Sequence, residues 1–324
     1  MLVSVLLFAV GLVLLIKGGD WFVDGATGIA KRFNLPDIVV GATVVSIGTT
    51  LPEVMVSTTG ALQGSGAMAY GNAIGSIICN TALIAAISIT CNPGPVNVKS
   101  MKTPAIFFFM SAALYCLAAY GLGTFPRWMG FVMLGIFVVY MVLTVRNGMR
   151  NPDAAAEEDE GEVKDRPLWQ QLVQLVVGAA VIAVGADLLV EHGQVIALGL
   201  GVPETVVALL FVALGTSLPE LVTTITSLRK GRASLGVGNV IGANVFNLVL
   251  VSGVAVSLAP FDVPVENELL NTGLNLSLVF DIPVMLGVMS LMIFPALLSK
   301  KLHRWQGIAL LGIYAAFCVC QFML

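Results

Sequence analysis

The chain has 324 residues, of which 57% are hydrophobic and only 11% charged, with a formal net charge of −3 and a mean hydropathy of +0.95. No soluble core of this length needs so little charged surface, so the composition excludes an ordinary soluble domain and fits a polytopic membrane protein. The acidic excess comes largely from one stretch, "EEDEGE" at 157–162, and nothing in the charge pattern points to nucleic acid.

Apolar segments of spanning length follow one another along the chain. The first, near 2–30, has no basic leader and no small-residue cleavage site, so it reads as a spanning helix and not a signal peptide. It carries Lys17, which either pairs with Asp20 or Asp24 or snorkels along the helix. For Asp20, Asp24 and the later pair Asp187 and Glu191 a structural role is favoured, with an ion access route as the alternative.

The second segment, near 35–62, would be about 42 Å long as an unbroken helix, which puts "GTTLPE" at 48–53 near the bilayer midplane. Pro52 has no amide hydrogen and displaces the Gly48 carbonyl from helical bonding. A free carbonyl in the membrane interior is tolerable only where protein, water or an ion satisfies it. Thr49 and Thr50 add hydroxyl oxygens there. Glu53 adds a charge, at a cost of roughly 2.5–3.5 kcal/mol at a helix centre on insertion scales, unless something compensates it. The third segment, near 67–92, contains "GNAIGSIICN" at 71–80, whose glycines at 71 and 75 allow a close helix approach that aims Ser76 and Asn80 at the glutamate. Segments near 103–122 and 127–147 complete the first half, residues 1–147.

Residues 148–167 form an acidic cytoplasmic linker without the spacing of an EF-hand loop. The second half, 168–324, opens with a long segment near 168–198. The next, near 202–228, holds "GTSLPE" at 215–220, in which Pro219 frees the Gly215 carbonyl beside Thr216, Ser217 and Glu220. Near 234–259 comes "GNVIGANVFN" at 238–247, with glycines 238 and 242 and the polar Asn247. Two further segments, near 277–298 and 304–323, bring the total to ten.

Residues 11–98 align without a gap to 178–265 at a constant offset of 167, which pairs Glu53 with Glu220, Asn72 with Asn239 and Asn80 with Asn247. "RWMGFVMLGI" at 127–136 resembles "RWQGIALLGI" at 304–313, an offset of 177. The expected fold is therefore an all-α polytopic membrane protein of ten transmembrane helices in two five-helix repeats. Five is odd, so the repeats are inverted. The charges agree: with both termini outside the cell membrane, 14 of the 16 basic residues fall on the cytoplasmic side. Inverted repeats mark secondary transporters, whose halves exchange conformations around one central site.

That site would be built from oxygen alone, which suits hard cations such as calcium and sodium rather than zinc or copper. The five cysteines sit at no metal-ligand or disulfide spacing, and Cys79 is expected to point away and pack. There is no HExxH motif and no serine and histidine arrangement, and His192 and His303 stand far from the glutamates in sequence, so an enzyme is not expected.

The two "G-T-[ST]-L-P-E" segments, each followed about eighteen residues later by "G-N-x-I-G", resemble the alpha-repeats of the calcium/cation antiporter superfamily, specifically its prokaryotic sodium/calcium exchangers. The resemblance covers nearly the whole chain. It implies electrogenic exchange of about three sodium ions for one calcium ion by alternating access, normally exporting calcium, without a cofactor. By resemblance, Glu53 and Glu220 are shared calcium and sodium ligands, and Thr49 and Thr216 hydroxyl and carbonyl ligands. Ser46 and Ala213 are backbone-carbonyl sodium ligands, Thr50 and Ser217 the adjoining hydroxyls, and Ser76 and Asn80 ligands on the third helix. Sliding of the first and sixth helices would switch access. Two positions depart from the pattern: Ala243 stands where serine is frequent, and Asn247 where some members, including potassium-dependent ones, have aspartate. The second departure disfavours potassium dependence. The expected partners are calcium, sodium and the lipid bilayer; the oligomeric state is open and a monomer suffices. A proton/calcium antiporter is the nearest alternative and a cation channel a further one.

Overall fold

The structure, a computed structural model, describes residues 2–150, 166–200, 215–264 and 275–323. Helix α1 (Leu2–Arg32) leads to α2 (Asp37–Thr49) and α3 (Leu51–Leu62), which meet at 46° around Thr50. Next come α4 (Gly66–Cys91), the short strand β1 (Gly94–Pro95), α5 (Val98–Leu122), β2 (Thr124–Phe125) and α6 (Arg127–Met149). Beyond the linker follow α7 (Leu168–Gly199), α8 (Leu218–Arg229), α9 (Ala233–Leu258) and β3 (Phe261–Asp262). The chain closes with α10 (Ser277–Ser299), β4 (Lys301–Leu302) and α11 (Arg304–Met323). Among the described residues seven helices are long and apolar enough to cross a membrane, or eight when α2 and α3 count as one span. Most of the acidic linker, the first part of the segment expected near 202–228 and the candidate Ala213 lie outside the described residues.

Proline decides where the broken spans restart. Pro52 and Pro219 both stand in the first turn of α3 and α8, where a missing amide hydrogen removes no helical bond. The residues just ahead, Thr50 (φ −86, ψ −1) and Ser217 (φ −89, ψ 3), adopt nearly the same bridge conformation. Each proline thus starts a new helix at the same point of its half.

Two small antiparallel pairings join the ends of the halves. β1 pairs with β4 and β2 with β3. The left-handed residues Gly123 (φ 67) and Lys300 (φ 56) stop α5 and α10. Their carbonyls accept the amides of Val263 and Val96, each at 3.0 Å. The offset of 167 carries β1 onto β3, and the offset of 177 carries β2 onto β4. Each pairing therefore ties one half to the other in the same way.

Helix α9 runs through the centre, with Leu235, Val240, Ile241, Val245 and Phe246 wholly inaccessible. It packs on α2, α3, α4, α5 and α6. Helices α1 and α7 lie at the periphery and present Leu6, Val13, Val176 and Val184 outward, as lipid-facing helices should. They pack antiparallel on glycines: a Cβ at Gly11 would come within 2.9 Å of the Gly185 carbonyl oxygen, and one at Gly18 within 2.9 Å of the Ile182 amide nitrogen. Backbones can approach this closely only without side chains in between. Lys230, not Lys17, partners the acidic pair of α1: its Nζ lies 2.6 Å from Asp24 Oδ1 and 2.9 Å from the Asp20 carbonyl. This contact ties Asp20 and Asp24 of α1 to the end of α8.

Candidate functional site

Three wide helical turns shape the middle of the molecule. π-Helical turns occupy Gly41–Val45 in α2, Asn80–Ala85 in α4 and Asn247–Val251 in α9. The last two begin at the two candidate asparagines, one in each half. Such turns lengthen the backbone hydrogen bond by a residue and are frequent at functional sites. Serine hydroxyls reinforce two of them: Ser46 Oγ lies 2.8 Å from the Gly41 carbonyl and Ser252 Oγ 2.8 Å from that of Asn247.

The two breaks face each other. Thr50 Oγ1, from the first break, lies 3.4 Å from Glu220 Oε1 of the second half. Glu53 and Glu220 are both wholly buried. Ser46, Thr49, Thr50, Ser76, Asn80, Ser217 and Asn247 are buried as well, and Thr216 is half-buried. The Ser46 carbonyl accepts the Thr50 amide at 3.0 Å, which leaves its second lone pair. Ala213, its counterpart, lies outside the described residues. Ala243 is fully buried on α9.

Buried polar atoms without a partner occur at several places in the molecule, and the two glutamates with their neighbouring amides are one group of them. Among the described residues, both oxygens of Glu53, Oε2 of Glu220, both amide atoms of Asn80 and of Asn247, and the Ser217 hydroxyl have no hydrogen-bond partner. Buried polar groups are otherwise almost always paired, and two like charges in a low dielectric are costly without a counter-charge. These atoms supply carboxylate, amide and hydroxyl oxygens, the donor set of a hard cation. No group of three or more histidine, cysteine, aspartate or glutamate side chains gathers among the described residues, so a thiolate and imidazole cage does not arise there.

The glycine expectation holds for one half. A Cβ at Gly242 would lie 2.6 Å from Ala42 Cα, and Gly238 packs against Ile38. No described atom lies within 4 Å of such a Cβ at Gly71 or Gly75; the residues that the offset matches to Ile38 and Ala42 fall in 201–214, outside the described residues. Cys79 packs as expected: it is buried in the hydrophobic core, with its sulfur 3.8 Å from the Tyr314 hydroxyl.

Asn72 and Asn239 were not among the candidates. Thr49 Oγ1 lies 3.1 Å from Asn239 Oδ1, and Thr216 Oγ1 lies 3.3 Å from Asn72 Oδ1. Their signal was present, since both stand second in the repeated "G-N-x-I-G", but a helix-by-helix reading gave them no partner.

The sequence model of the family described as "Sodium/calcium exchanger protein" matches residues 3–146 and 170–323. The chain is 30% identical over 355 residues to "Sodium/calcium exchanger MaX1" of Methanosarcina acetivorans, covering 99% of both chains. It is 34% identical over 308 residues to an uncharacterized membrane protein of Methanocaldococcus jannaschii, covering 95% of this chain and 94% of the relative. Its fold superposes with a TM-score of 0.79 on the sodium-calcium exchanger NCX_Mj soaked with 100 mM Na+ and 10 mM Sr2+, at 31% identity and over 98% of each chain. A second NCX_Mj structure, soaked with zero Na+ and Ca2+, gives 0.79 at 30% identity over 99% of each chain.

Proposed function

The chain belongs to the sodium/calcium exchanger protein family, a family of membrane transporters and not of enzymes, and from that premise we propose that it exchanges sodium for calcium by alternating access. The observation that supports this reading is that Glu53 and Glu220 are both wholly buried in the first turns of helices that start at matching prolines, with Thr50 of the first half 3.4 Å from Glu220 of the second. One calcium ion neutralises their formal charge of −2. Thr49, Thr50, Ser76, Asn80 and Ser46 from the first half, with Thr216, Ser217, Ala213 and Asn247 from the second, complete the oxygen shell for calcium and sodium. An amide at Asn247, where a carboxylate would add a third charge, argues for potassium independence.

Ten spanning helices in two inverted five-helix repeats, with both termini outside, accommodate this mechanism. The crossed strand pairs and the reciprocal glycine contacts of α1 and α7 support that arrangement, and the basic residues support the orientation. Under a normal inward sodium gradient the direction is calcium export.

Proteoliposomes loaded with sodium and diluted into sodium-free buffer at fixed pH are expected to take up radioactive calcium, with or without potassium. Uptake that follows only an imposed pH gradient would replace sodium by protons as the coupling ion. Calcium flux indifferent to any counter-ion would replace exchange by a channel.

A further inference from the structure

We propose that Asn72 and Asn239 are positioning residues that set the direction of the two threonine hydroxyls at the helix breaks, each asparagine acting on the threonine of the opposite half. This rests on the exchange reading above and names what orients its ligands. The contacts are reciprocal: Asn239 Oδ1 faces Thr49 Oγ1 at 3.1 Å, and Asn72 Oδ1 faces Thr216 Oγ1 at 3.3 Å.

A threonine hydroxyl has one hydrogen. When a fixed acceptor takes it, the oxygen keeps its lone pairs for other partners; when nothing takes it, the hydrogen can turn toward the site and repel a cation. An amide oxygen suits this task because it accepts the hydrogen and, being neutral, needs no counter-charge while the site holds no cation. For Asn72 the amide orientation is fixed by its other end. Nδ2 donates to Ser57 Oγ at 2.8 Å and to the Glu53 carbonyl at 3.3 Å, so the oxygen is the atom that faces Thr216. The same side chain thus ties a ligand threonine of one half to the backbone of the ligand glutamate of the other.

Asn239 does the work differently. Its Oδ1 accepts from Thr49 and lies 3.2 Å from Ser46 Oγ. Its Nδ2 has no partner among the described residues, and neither has Thr224 Oγ1, the residue that the offset matches to Ser57. Removing the Asn239 amide therefore strips hydroxyl acceptors at the break and little else, whereas removing that of Asn72 also loosens α3 from α4. Asn239 is the cleaner probe.

In full-length chain reconstituted into proteoliposomes, Asn239→Ala is expected to raise the calcium KM roughly tenfold with kcat little changed, the usual penalty for losing a group that orients a metal ligand. In a Thr49→Val background, where the hydroxyl is already gone, the same substitution should shift KM by less than about twofold, because the two residues act as one unit. Asn239→Asp keeps an oxygen acceptor and should hold KM at or below the wild-type value. An unchanged KM in Asn239→Ala, a full further rise in the Thr49→Val background, or a raised KM in Asn239→Asp would each overturn the proposal. Calcium binding to the detergent-solubilised chain by isothermal titration gives the same ratios without transport. A wild-type chain that binds calcium but does not exchange it for sodium would defeat the functional reading, while the binding ratios would still decide the role of Asn239.

Discussion

Glu53 and Glu220 carry the whole formal charge of the site, so replacing either with glutamine leaves −1 to balance a divalent ion. Glu53→Gln and Glu220→Gln are each expected to abolish sodium-dependent calcium uptake while the purified protein remains monodisperse; near-normal uptake in either variant would remove that residue from the site. Ala243→Ser would restore a hydroxyl to a fully buried position of α9. One added oxygen interaction of about 0.5–1.5 kcal/mol should improve apparent sodium affinity by about twofold to tenfold, read from the sodium dependence of calcium flux. The glutamates were legible in the sequence because a charged residue inside a spanning segment demands a reason, and here the same demand appears twice. Asn72 and Asn239 were not legible as positioning groups, because their acceptor oxygens meet hydroxyls 144 and 190 residues away.

Among the elements, the expected sliding of α1 and α7 can be tested at the interface between them. Their interface is lined by glycine against backbone, with Gly11 on Gly185 and Gly18 on Gly178, and offers few side-chain ridges to interlock. Phe22 of α1 packs on Gly48 at the first break, a contact that the expected sliding of α1 would disturb. Gly18→Leu would drive a side chain into the Ile182 backbone and is expected to slow exchange turnover at an unchanged calcium KM; faster or unaltered turnover would count against sliding as the access switch. A different contact ties the two halves together. Arg232, just ahead of α9, and Asp37, at the start of α2, form a buried ion pair at 3.3 Å. Removing one partner of such a pair typically costs about 3–5 kcal/mol, so Arg232→Ala should lower the thermal midpoint clearly, which a melting curve would check. The sequence supplied both charges and both helices. It did not pair them, since Asp37 and Arg232 lie in different halves and neither stands at helical spacing from the other.

For the molecule as a whole, charge accounting sets the response to voltage. With the exchange of about three sodium ions for one calcium that the family resemblance implies, a site of −2 would be neutral with one calcium and carry +1 with sodium, so the sodium-loaded step would move charge across the field. In sodium-loaded vesicles calcium uptake should quicken under an inside-positive potential imposed with valinomycin and potassium and slow under an inside-negative one; indifference would indicate a charge-balanced stoichiometry. Hydropathy, the duplicated motif and the distribution of basic residues were enough to read a membrane transporter and to propose a central oxygen site, because the bilayer penalises every polar atom that lacks a purpose and the repeat states that purpose twice. Only the folded structure decided which hydroxyl meets which amide, that Lys230 holds the acids of α1, and that the strands after α4 and α9 cross to opposite partners. Those contacts join residues far apart in the chain, and they depend on how helix faces pack against one another, a property that neither composition nor periodicity encodes.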